Sequence, residues 1–183
     1  MKNIELFNQM RKSAQELDTL LRRQKADSEN METIAYEAWS IDRQNDEKRK
    51  VFHKYCNATK EIERQIARNE PFTSEKWYMT EFLYSDAHAY EVVEVYSFNR
   101  MDVRRLKATI TDKSKKELHD SFIPGGFLGH FDNELQEWTF ETDENNPILT
   151  VRRHKDGLYY IARSRTCPFI PQSEPYERFD FNF

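Results

Sequence analysis

Along the first 70 residues, apolar side chains recur at alternating steps of three and four. Leu6, Met10, Leu17, Leu20, Met31, Ile34, Ala38, Ile41, Phe52, Tyr55, Ile62 and Ile66 all fall on one such count. That period puts them on one face of a helix. A neighbouring column of Phe7, Ala14, Leu21, Ala35 and Cys56 widens the stripe toward the face that a helix shows to a small bundle. Arg11, Lys12, Glu16, Arg22, Arg23, Glu47 and Lys50 charge the opposite side, and no glycine or proline precedes Pro71. Nothing in this stretch therefore breaks a helix.

The stripe is polar at Gln24/Asp27 and again at Asn45/Lys48. A turn over residues 26–30 would let Asp27 or Ser28 cap a second helix, and Asn45-Asp46-Glu47 offers another start with acids in its first turn. The count nevertheless runs through both places without a skip. One unbroken helix would reach about 100 Å and need a second copy or another protein to cover its stripe. A long helix and a helical hairpin are both compatible with the pattern.

Past Pro71 the period changes. Strands are expected near residues 76–84, 90–98, 105–111, 135–142, 148–154 and 158–163, rich in Tyr, Phe, Val, Ile and Thr. Asp156-Gly157 is a hairpin turn signal between the last two. Residues 113–120 are charged, as a short helix or a loop would be. The tail, with Pro168, Pro171 and Pro175 and an aromatic end through Phe179 and Phe181, reads as an extended arm packed along a surface. The expected fold class is α+β: an N-terminal long helix or helical hairpin, then a small, mostly antiparallel β domain. The boundaries are 1–70 for a coiled-coil-like helical region and 71–183 for the β-rich domain.

Composition narrows the classes of function. The net charge of −4 divides into +1 for residues 1–70 and −5 for the remainder, which is no global signature of nucleic-acid binding. Aromatic residues make up 14% of the chain, against disorder. Cys56 and Cys167 match neither a CxxC nor a zinc spacing. No cofactor and no metal is expected. No signal-peptide pattern and no apolar run of membrane length occurs, so a cytoplasmic protein, of the cell or a host cell, is expected.

Three surfaces are candidates. The first is the helical stripe, a protein-contact face through Leu17, Leu20, Met31, Ile34 and Ile41, for a protein partner or for self-association into a homo-oligomer. The second is the hairpin carrying Arg152, Arg153, Lys155, Arg163, Tyr159 and Tyr160, where cations for phosphates alternate with rings for stacking, a nucleic-acid or anion surface. Its plainer alternative is a solvent face neutralised by Glu137, Glu141, Asp143 and Glu144. The third is the loop Gly125–His130, which holds three of the four glycines and lies near Asp132; an enzyme would place acid–base groups there. No phosphate loop, HExxH or nucleophile elbow occurs in the chain. The expectation is a non-enzymatic interaction protein, regulatory or inhibitory, of the kind a phage or mobile element carries as an accessory factor.

Overall fold

The computed structural model describes residues 3–124, 131–161 and 164–182. It is α+β, with two long helices followed by an antiparallel β-barrel. The chain divides into a unit of Met1–Met10 with Glu75–Phe183 and a unit of Arg11–Ser74.

Helix α1 spans Ile4–Ile41 and α2 spans Asp46–Asn69. The break between them falls at the second polar gap. The Asn45 side chain accepts hydrogen bonds from the backbone N–H groups of Glu47 and Lys48 at 3.1 and 3.2 Å, with Asp46 and Glu47 in the first turn. Two orphan donors and the helix dipole are satisfied there together. The first gap, residues 26–30, runs on as helix because Ser28 has another use. Its hydroxyl meets that of Thr59 at 2.9 Å across the hairpin. Within Arg11–Ser74 the two helices lie antiparallel. Trp39 stacks on Phe52 at 5.5 Å and 15° near the turn, Lys25 pairs with Glu63 at 3.0 Å midway, and Asn69 donates to the carbonyl of Ala14 at 2.8 Å near the far end. Cys56 donates to Glu32 at 3.2 Å, and burial together with that carboxylate pushes its thiol pKa up, away from thiolate reactivity.

The other unit holds seven strands: β1 Tyr78–Phe82, β2 Ala87–Ser97, β3 Arg100–Ile110, β4 Trp138–Thr142, β5 Ile148–Arg153, β6 Tyr159–Ile161 and β7 Phe169–Gln172. Six of them close a ring in the order β1-β2-β3-β5-β6-β7, with β7 returning to β1, and every pairing is antiparallel. The eleven-residue β3 serves two neighbours along one edge. Arg100–Arg104 pairs with β5 and Leu106–Ile110 pairs with β4, which extends the sheet beyond the ring. Closure of the six-stranded ring fills its centre with side chains, and β4 stands at the sheet's edge. Met79, Ala89, Val95, Met101, Val103, Val151 and Phe169 are completely enclosed.

Two sequence expectations change here. About six strands become seven, because β7 lies in the proline-punctuated tail. Pro171 is tolerated in a four-residue strand whose second neighbour, β6, meets it at a single pair, Tyr159↔Phe169. The third strand starts at Arg100 rather than 105, since a tight turn at residues 98–99 joins it directly to β2. Asp156-Gly157 does make the β5–β6 turn: Gly157 sits at φ +86°, and the Asp156 carboxylate accepts from the N–H of Leu158 at 2.9 Å. Helix α3, Asp112–Asp120, is capped by Thr111, whose hydroxyl accepts from the N–H of Ser114 at 3.2 Å.

Residues 176–182 are strapped down. Arg178 exchanges two backbone hydrogen bonds with Ala87, at 2.8 and 2.9 Å, and Phe179 and Phe181 pack edge to face at 5.0 Å. Thr80 is fully buried in β1 and its hydroxyl has no hydrogen-bond partner among the described residues. Thr80→Val keeps the volume and removes the orphan, so urea unfolding should show a gain of about 1 kcal/mol. A loss of stability would mean that the hydroxyl is satisfied.

Candidate protein-interaction surface

The apolar stripe of α1 separates into two columns. Ala14, Leu21 and Ala35, at 1%, 5% and 7% exposure, together with Ser28, form the column turned to α2. The column one position before it stays outside. Leu17 is 46% exposed, Leu20 58%, Met31 40%, Ile34 50% and Ile41 85%. Gln24, Asp27 and Ala38 complete the three–four count from Leu17 to Ile41, and all eight positions are exposed. They make a seam of heptad a and d positions about 36 Å long at 1.5 Å per residue.

The separation follows from how α2 packs. Its own stripe, through Phe52, Tyr55, Thr59, Ile62 and Ile66, is buried or half-buried. Small residues at 14, 28 and 35 let it approach α1 along their side. A hairpin gives each helix one neighbour, so the wide stripe of α1 is covered on one flank only. Beside the open seam run Glu16, Arg23, Asn30 and Glu37, all exposed. Among the described residues, neither Arg23 nor Glu37 is in an ion pair.

The basic hairpin is partly assembled. Arg152, Arg153, Lys155 and Arg165 line one open depression together with His154 and Asp156. Arg152 lies opposite Tyr160 on β6 and Arg100 on β3, which brings a cation that the sequence did not suggest. The acids expected to neutralise this group do not reach it. Glu141, on β4, pairs with Lys107 at 3.4 Å, and no ion pair joins Arg152, Arg153, Lys155 or Arg165 to any acid among the described residues. Tyr159 departs from the expectation: only 1% exposed, it donates its hydroxyl to the carbonyl of Phe98 and offers no face for stacking. Burial raises its phenol pKa to about 12. Tyr160 is half-buried and donates to Asp156 at 3.1 Å. Arg163 lies outside the described residues.

Gly125–His130 also lies outside them. Asp132, beside that loop, uses its carboxylate to accept from the N–H of Glu134 at 3.0 Å, a cap for the short helix at Asn133–Leu135. No cluster of three metal-ligating side chains forms among the described residues, and no helix is long and apolar enough to cross a membrane.

One polar group was not legible in the sequence. Glu177, with a side chain 6% exposed, accepts from the N–H of Ala89 at 2.7 Å and from Arg105 at 2.8 Å, and touches Nδ1 of His88 at 3.0 Å. Nearby, Tyr90 donates to Glu81 at 2.8 Å, and burial together with that carboxylate raises the phenol pKa. Eighty-nine residues separate His88 from Glu177, so no local spacing could have joined them. Every group in the cluster is engaged by its neighbours, as in a tie between the tail and the barrel. No protein family, curated protein or solved structure matches this chain.

Proposed function

We propose that this chain is a non-enzymatic interaction protein whose working surface is the exposed seam of α1. One observation carries the proposal: five large apolar side chains, Leu17, Leu20, Met31, Ile34 and Ile41, repeat at heptad spacing on the uncovered side of a helix. Single exposed apolar residues need no explanation, whereas a periodic row of them is the signature of helix-to-helix docking. A regulatory or inhibitory role fits a surface of this kind, because occupying a partner's helix is a way to block or recruit it. The test is capture by the intact chain, immobilised at low density, of itself or of another protein. Capture should be lost on Leu20→Asp with Ile34→Asp. Equal capture with and without the change would overturn the proposal.

The basic hairpin supports a second reading, a surface for nucleic acid or another polyanion, favoured by the unpaired cations Arg152, Arg153, Lys155 and Arg165. Four phosphate contacts predict an affinity for single-stranded RNA or DNA that falls roughly 50-fold for a fourfold rise in salt. A flat salt response would overturn it.

A further inference from the structure

We infer that the occupant of the α1 seam is α1 of a second copy of this chain, running antiparallel across a two-fold axis that passes beside Asn30. The inference rests on the seam being the working surface, and it adds the partner and its register.

The seam and its flank are self-complementary in one arrangement. An antiparallel pair packs a positions against d positions. Centred on residue 29, it sets Leu17 against Ile41 and Leu20 against Ala38 of the second copy. The two polar seam positions, Gln24 and Asp27, then fall against Ile34 and Met31, so no layer is wholly polar. The same register brings Arg23 beside Glu37 of the second copy, twice by symmetry, and Asn30 beside its own copy. These two unpaired exposed charges become a pair of interchain ion pairs.

Other arrangements lose this match. A parallel pair stacks Asp27 on Asp27 inside the seam, where like charges are costly. It also sets Glu16, Arg23 and Glu37 beside Leu21, Ser28 and Asp42 of the second copy, none of which offers an opposite charge. Sliding the antiparallel pair by one heptad sets Glu16 against Glu37. It also requires Met10, which is 8% exposed, to leave its packing. Isologous pairing across a two-fold axis is the commonest way that a chain covers such a surface.

Sedimentation equilibrium on the intact chain tests the arrangement. Arg23→Glu and Glu37→Arg should each weaken the dimer about tenfold, since two attractive contacts become two repulsive ones. The double variant Arg23→Glu/Glu37→Arg should return to within about threefold of the original. Orientation has its own readout in a chain carrying Cys56→Ala and Cys167→Ser. There Asn30→Cys should oxidise readily to a covalent dimer and Leu20→Cys should not. Preferential cross-linking of Leu20→Cys, or a double variant no tighter than the single ones, overturns the inference. A chain that stays monomeric while capturing a different protein through Leu20 and Ile34 overturns it too, and leaves the proposed function standing. A monomer that captures nothing removes both.

Discussion

Changing Leu20 and Ile34 together to Asp should abolish association at every concentration up to about 100 μM while leaving the hairpin helical. Both side chains are half exposed or more in the single chain, at 58% and 50%. Within one copy the change costs only helix propensity, about 1 kcal/mol for the two positions together. Inside an apolar seam each Asp brings an unpaired carboxylate out of water, at about 2 kcal/mol or more apiece. In a symmetric pair there are four of them, so association should weaken by well over a thousandfold. Sedimentation equilibrium measures the first effect, and far-ultraviolet circular dichroism with a thermal scan measures the second. The neighbouring substitution is the informative control. Leu21, one residue on, is 5% exposed and faces α2, and Leu21→Asp should unfold the hairpin itself, at a cost of about 3 kcal/mol or more. If Leu20→Asp with Ile34→Asp melted the helices as Leu21→Asp does, the two columns would not have separate duties.

The second large effect belongs to the barrel. Glu177→Ala should destabilise the β-rich unit by about 3 kcal/mol in urea unfolding. Removing the carboxylate leaves the N–H of Ala89 buried without an acceptor and strips Arg105 of its charged partner, leaving it His88. The orphaned buried donor carries a full desolvation cost, and Arg105, with a side chain 36% exposed, loses a charge-assisted contact. Glu177→Gln keeps one carbonyl oxygen, for the Ala89 N–H, and should lose about half as much. The comparison separates backbone satisfaction from charge. Neither substitution should alter capture through Leu20 and Ile34. An unchanged unfolding midpoint for Glu177→Ala would show that the tail is not fastened through this contact.

The proposed function and the inferred partner make different demands on the same helix. Any amphipathic partner helix can satisfy the apolar row. The flank is more selective, because Arg23 and Glu37 stand fourteen positions apart, two heptads, and cancel each other only when the helices run in opposite directions. A cell that uses this chain as a dimer would meet a hairpin pair with its seam closed, so other proteins would have to compete for the same surface. That competition is one route by which a seam of this kind regulates a partner.

Local chemistry alone determined a good deal of this protein. The period of apolar residues and the absence of Gly and Pro specify helix before Pro71, because backbone hydrogen bonding within a helix depends on near neighbours. Asp156-Gly157 specifies its turn for the same reason, through the left-handed φ that Gly157 accepts. Tertiary structure alone decided which of two equally good gaps became the helical turn, since Ser28 was claimed by Thr59 from the other helix while Asn45 was free to cap. It alone decided which column of the stripe faced α2, a choice set by the small residues at 14, 28 and 35 and invisible to periodicity. The same holds for β7, whose Pro171 argues locally against a strand and is outvoted by barrel closure. It holds also for Tyr159, which lies in the most basic stretch of the chain but whose ring fills the core. Sequence reads what a residue does to its own backbone; contacts between residues dozens of positions apart are chosen only when the whole chain packs.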